Sequence, residues 1–228
     1  YDNFNINETT VTWAKDNDML TSTDIWLLSK LQKTIELTTK SNNECKFKES
    51  ASAIEDFLIN SLSQIYIPIT KPELWNDDET KKDRRHVIYA IIAKSLKTLD
   101  ILIHPFSPFT SDYLYMTTFG DKKSILLESW PKSTSTLVNE SIEESFDIMN
   151  EIVSVCAAAR MKGKLKRRWP LKHVIICVEK GLQKKIELLS ELLQTQLNVE
   201  DYKIIELENH EGISEMLEMK KSGAPVIP

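Results

Sequence analysis

Seven basic side chains fall between residues 160 and 172, at Arg160, Lys162, Lys164, Lys166, Arg167, Arg168 and Lys172, and no acidic residue interrupts them. The protein as a whole carries a formal net charge of -5 over 228 residues, so the strip reverses the sign of its surroundings. The chemistry open to such a strip is the gripping of phosphates, because affinity for a nucleic acid comes from displacing counterions where cations are concentrated. Trp169 lies inside the run. An indole there either holds the loop against the protein, the role preferred here, or stacks on an unpaired base. A nuclear-localisation signal or a polybasic membrane patch shares the composition but needs accessible, flexible sequence. This run leads instead into the apolar "VIICV" of residues 174–178. A solvated loop without function is the remaining reading, and the ordered elements on both sides count against it.

A second candidate surrounds "KPELWNDDETKKDRRH", where Lys71 and Trp75 precede Lys81, Lys82, Arg84 and Arg85, faced by Asp77, Asp78, Glu79 and Asp83. Mixed signs at this density read first as a solvated helix entry. The neighbouring Phe57, Tyr66 and Trp75 leave a nucleotide-contacting cluster as the alternative, with Trp75 assigned to core or hinge packing ahead of base contact. Phe106 and Phe109 of "HPFSPF" read as core residues at a helix junction. Metal chemistry has no anchor: Cys45, Cys156 and Cys177 are odd in number and far apart, and His86, His104, His173 and His210 are scattered. No nucleophile, base and oxyanion-stabilising set can be named, so an independent enzyme is the weakest class.

The elements that must position these residues follow from periodicity. The polar first twenty residues read as a lead-in loop. Thr21 or Thr23 then caps a helix with Asp24 in its first turn and Leu28, Leu31 and Ile35 on its apolar face. Phe47, Ala51, Ile54, Leu58, Leu62 and Ile65 form the stripe of a second helix, expected to end before Pro68. A third starts near Asp83, buries Ile88, Ile91, Ser95, Leu99 and Leu102, and stops near His104. Ser107 and Pro108 open a short helix with Gly120 as terminator, and "SILLESWP" reads as an extended crossing. Ile142, Phe146, Met149, Val153 and Cys156 mark the most regular helix, whose acidic first half suits the positive end of its dipole. After Pro170 the pattern becomes a strand ("HVIICVE"), an amphipathic helix ("GLQKKIELLSELLQTQLN") and a strand ("DYKIIELE"), a βαβ unit. The tail after residue 211 suggests a short helix.

At 41% hydrophobic residues with only 5 glycines, the chain has enough apolar surface to fold. No apolar run is long enough to span a bilayer and the start lacks the marks of a signal peptide, so a soluble cytoplasmic protein is expected. The fold class expected is mainly α: an antiparallel helical bundle over residues 1–160, followed over 161–228 by a basic junction and a small α/β module.

Three stretches, "DIWLLSKLQKTI", "AIEDFLINSLSQIYIPITKPELW" and "VIYAIIAKSLKTLDILIHPFSPFTSDYLY", together resemble the anticodon-binding bundle of class I aminoacyl-tRNA synthetases of the isoleucyl, valyl and leucyl branch. "SWP" matches the branch's usual tryptophan–proline pair, and "KGKLKRRWPLKHVII" with "LLQTQLNVEDYKIIEL" is similar to the segment joining bundle and C-terminal module in the isoleucyl enzymes. The resemblance runs from about Asp24 to Leu207. It departs at Ile65 and Lys71, where the family commonly has an aromatic and an arginine; lysine lacks the planar two-pronged fork of arginine. Neither adenylate-forming signature nor a Gly-rich phosphate loop is found, so the resemblance implies a C-terminal fragment that is inactive by itself. It implies isoleucine tRNA as partner, together with the catalytic domain of the same parent chain, and neither DNA nor membrane. It implies no cofactor in the fragment, with ATP and magnesium used by the parent. The RNA-binding residues it suggests are Arg160, Lys162, Lys164, Lys166, Arg167, Arg168, Trp169, Lys172, Lys71 and Trp75. A helical protein-interaction scaffold, or the same region of a valyl or leucyl enzyme, stands as the alternative.

Overall fold

The computed structural model describes Phe4, residues 10–119 and residues 123–207. The chain divides into two compact units, Tyr1–Asn139 and Glu140–Pro228.

The first unit opens with α1 (Val11–Asp16), where a loop was expected. Thr10 Oγ1 accepts from the Trp13 amide at 3.1 Å, and Val11 and Ala14, one turn apart, are buried. A cap and two small apolar side chains suffice once a neighbouring helix covers them. α2 (Ser22–Asn43) starts as its sequence dictates, with Thr21 as N-cap in a capping box with Asp24. Its buried face, including Trp26, Leu27, Leu28, Leu31 and Ile35, is wider than the expected stripe because elements pack on more than one side of it.

α3 (Phe47–Asp56), a π-helical stretch over Phe57–Tyr66 and α4 (Ile67–Leu74) follow one another without leaving helical backbone geometry. The wider π turn moves the buried face to Ile54, Phe57, Leu62 and Tyr66, while Phe47 is 56% exposed and Leu58 and Ile65 are half-buried. Pro68 does not end the helix as expected. It falls where the π ladder closes, the Ile67 amide donating to the Leu62 carbonyl, so a missing N–H costs little there.

α5 (Lys82–Ile103) buries Ile88, Ile91, Ser95, Leu99 and Leu102, the face the sequence predicts. α6 (Pro108–Thr118) follows with Ser107 as N-cap; Gly120 lies outside the described residues. Phe109, expected in the core, is 90% exposed, and Phe106 stands partly exposed. The inward face of α6 is set by Ser111 and Tyr115, and position 109 lies on the other side of the helix. Ile125–Leu127 is a 3₁₀ turn where an extended crossing was expected, because Asp112 Oδ1 accepts from both Ser124 Oγ and the Ile125 amide at 2.8 Å. The chain then returns along α2: Trp130 Nε1 donates to Thr39 Oγ1 at 2.9 Å, the Thr134 amide to Gln32 Oε1 at 2.8 Å and the Asn139 amide to Ser29 Oγ at 2.8 Å. These bonds explain polar side chains on a buried helix face.

The second unit begins with α7 (Glu140–Lys162), acidic in its first turn and basic in its last. β1 (Leu171–Glu179) and β2 (Val199–Leu207) pair in parallel, Leu171 opposite Val199 and Glu179 opposite Leu207. The crossover between them is two short helices, α8 (Gln183–Glu187) and α9 (Ser190–Leu197), where one was expected. Ile176, Val178, Ile186, Leu189, Leu193, Leu197 and Val199 form the buried layer of this βαβ unit. By compactness α7 groups with this module, so the division falls at Asn139 rather than near residue 160; Lys185 Nζ meets Glu144 Oε2 at 2.6 Å, and Arg160 ties the other end of α7 to the segments that lead into the two strands. The fold is thus mainly α, a helical bundle followed by a small α/β module. The predicted tail helix lies outside the described residues. Among the described residues no helix is long and apolar enough to cross a membrane.

Candidate nucleic-acid interface

The basic strip begins as a helix end. The Leu165 amide donates to the Arg160 carbonyl at 2.8 Å and the Lys164 amide to the Met161 carbonyl at 3.1 Å, the paired bonds of a Schellman terminus. That motif needs one left-handed residue, and it is Lys164, with φ 55°. Gly163, expected to let the chain leave the helix, is not left-handed, and a Cβ there would meet only ordinary contacts, 3.6 Å from the Arg160 carbonyl.

Of the expected contact residues, Lys162, Lys164, Lys166, Arg167, Arg168 and Lys172 are all exposed. No ion pair joins any of them to an acidic side chain among the described residues. Trp169 is 48% exposed, with Lys166 Nζ 5.6 Å from its ring centroid. Its main chain does the anchoring: the Trp169 amide donates to the Lys166 carbonyl at 3.0 Å, and its carbonyl accepts from Arg160.

Arg160 differs from the other six. It is 4% exposed. One guanidinium nitrogen donates to the Trp169 carbonyl at 2.8 Å and, at 3.5 Å, to that of Lys166; the other donates to the carbonyls of Leu197 at 2.8 Å and Asn198 at 3.1 Å. It was expected to touch RNA and instead lies beneath the loop. Sequence reasoning had the signal, because position 160 continues the spacing of Ile142, Phe146, Met149, Val153 and Cys156, so the first arginine of the strip belongs to the buried stripe of α7. Asn198, not singled out from the sequence, holds the same loop: left-handed at φ 50°, it donates Nδ2 to the Arg167 carbonyl at 3.2 Å and accepts from the Leu171 amide at 3.2 Å. An Asn between a helix and a strand is the cue for that backbone.

The other candidate surface, in the first unit, is the end of α4. Trp75 is 74% exposed, against the expected packing role, with Lys71 Nζ 4.1 Å from its ring centroid. Phe57 and Tyr66 are buried, so they form no aromatic cluster with it. Arg84 and Arg85 are committed inward. Arg84 pairs with Asp24, itself fully buried, and with Glu73 at 2.6 Å, while Tyr66 donates its hydroxyl to Asp24 Oδ1 at 2.8 Å. Burial opposes the charge on Arg84, but Asp24 and Glu73 outweigh it and raise its pKa; burial, then Asp24, push the Tyr66 phenol well above its ordinary range. Arg85 donates to the carbonyls of Asn76 at 2.6 Å and Asp78 at 2.8 Å. The mixed-sign stretch is therefore partly a buried scaffold: Lys71, Trp75 and Lys81 stay at the surface, together with the acidic Asp77, Asp78, Glu79 and Asp83.

Residues 24–176 match the family described as the anticodon-binding domain of tRNA ligase. The chain belongs to this family. The chain is also similar to isoleucine–tRNA ligases: 29% identical over 211 residues to that of Sulfolobus acidocaldarius, covering 91% of this chain and 20% of the relative. It is 28% identical over 193 residues to that of Saccharolobus islandicus, covering 84% of this chain and 18% of the relative. With the protein of Haloarcula marismortui it shares 26% identity over 180 residues, 78% of this chain and 16% of the relative. The chain thus spans about a fifth of the length of the curated relatives it matches.

Proposed function

We propose that this anticodon-binding domain grips the anticodon stem and loop of isoleucine tRNA, and that Lys162, Lys164, Lys166, Arg167, Arg168 and Lys172 supply the phosphate contacts. The carrying observation is a loop of exposed cations without acidic partners among the described residues, held to its own module by main-chain bonds. Phosphate contacts fix register without reading sequence. Trp169 and Trp75, each exposed and each beside a lysine, are the groups suited to stack on unpaired bases. The parent protein is an isoleucine–tRNA ligase in this reading, and a catalytic domain outside this chain, using ATP and magnesium, charges the tRNA that this domain holds. The domain acts in the cytoplasm and takes no cofactor.

The test is a binding titration with isoleucine tRNA and with a tRNA for another amino acid at several salt concentrations. Binding that weakens steeply with salt for both, and is tighter for isoleucine tRNA, is the expected result. Binding indifferent to salt, or no binding at low salt, contradicts it and favours a protein-binding scaffold.

A further inference from the structure

The Arg160 guanidinium gathers two separate pieces of main chain: the loop, through the carbonyls of Lys166 and Trp169, and the turn from α9 to β2, through the carbonyls of Leu197 and its C-cap Asn198. A planar fork with five donors suits this task, because its two outer nitrogens each reach two carbonyls. The charge is stabilised by carbonyl dipoles, and at 4% exposure it presents no face to a phosphate. Asn198 forms a second bolt, donating to the Arg167 carbonyl in the middle of the cationic run. Three carbonyls of the stretch 166–169 are thus held from beneath while its side chains point to solvent. A loop held in this way loses less freedom on binding than a free one.

We propose that Arg160 is a positioning residue for RNA binding: it contacts no RNA, and it fixes the loop so that the cations around it meet phosphates in one arrangement. The inference rests on the function proposed above. Three variants test it in the full chain. Arg160→Met removes fork and charge at similar length, Arg160→Lys keeps the charge without the fork, and Asn198→Gly removes the second bolt while tolerating the left-handed backbone.

Each variant is read by the rate of trypsin cleavage after residues 164–168, followed by mass spectrometry, and by tRNA affinity across salt. Both Arg160 variants should be cut in the loop about tenfold faster and bind about five- to tenfold more weakly, with Lys no rescue. The slope of log affinity on log salt should stay within about half a unit of wild type, since every phosphate-contacting cation remains. Asn198→Gly should move both readouts in the same directions, less far, and keeps the proposal open to refutation if Arg160→Met does not fold. A slope that falls by about one in Arg160→Met, with Arg160→Lys binding as wild type, would make Arg160 a phosphate contact and overturn the proposal. Faster cleavage with unchanged affinity would overturn it too, as would unchanged cleavage in all three variants. Absence of salt-dependent tRNA binding by the wild-type chain defeats the underlying function, and is told apart because it precedes any substitution.

Discussion

The end of α4 and the loop after α7 each carry an exposed tryptophan beside a lysine, yet they are built on different scaffolds. The helix end that carries Trp75 joins, through Glu73, an ionic network of Arg84 and Asp24 with the Tyr66 hydroxyl, in which side chains hold side chains. Beneath Trp169 a single buried arginine and one asparagine hold main-chain carbonyls. The first arrangement spends its basic residues on the fold and leaves few at the surface. The second spends one and leaves six exposed. Mixed-sign sequence can make a rigid mount, whereas an unmixed cationic run held by its backbone leaves its charges exposed, as the proposed phosphate contacts require.

Breaking the ionic mount should give the largest effect. Asp24→Ala leaves Arg84 and the Tyr66 hydroxyl without their shared carboxylate, and denaturant unfolding of the first unit should show a loss of about 3 to 5 kcal/mol. A loss below about 1 kcal/mol would mean that the network is incidental to the bundle.

Asp100 on α5 shows what the same bundle does to a carboxylate without such a network: burial pushes its pKa up to about 6. Because the folded state then holds this proton more tightly than the unfolded chain, the group's contribution to stability falls as pH rises from about 4 to 6. Asp100→Asn should remove that fall and raise stability at pH 7 by about 1 kcal/mol, a figure discounted for the solvent that still reaches the group. Melting curves at pH 4 and pH 7 decide it; an equal effect at both would refute the titration.

The smallest change sharpens the loop side. Lys164 is left-handed at φ 55°, where a side chain costs about 1 kcal/mol relative to glycine. Lys164→Gly should therefore stabilise the second unit by roughly 0.5 to 1 kcal/mol while removing one cation. Higher thermal stability with slightly weaker, less salt-dependent tRNA binding is the expected pair of changes. Lower stability would mean that the terminus depends on the lysine side chain.

What the sequence made legible follows the same divide. The capping box at Thr21, the buried face of α5 and the βαβ unit obey local rules of period and capping, and were readable as written. The π turn was not: a 3.6-residue period assumed through Phe57–Tyr66 placed Leu58 at the centre of a face that Phe57 occupies. Phe109 misled because an aromatic near prolines looks like core, and only the register of α6 turns it outward. In the candidate site, charge density located the cationic loop, but which basic residue is buried depends on where α7 ends. Arg160 lies on its apolar stripe and the next six do not.

The most direct test neutralises the loop without touching its mounts. Lys162, Lys166, Arg167 and Arg168 are replaced together by glutamine, leaving Arg160, Lys164 and Asn198 in place, and tRNA affinity is measured across salt beside wild type. A loop that grips phosphates predicts an unchanged melting temperature, weaker binding to cognate and non-cognate tRNA alike, and a slope of log affinity on log salt reduced by about 2 to 4. Wild-type affinity and slope in this variant would contradict it, and would transfer the RNA contact to the surface around Lys71 and Trp75.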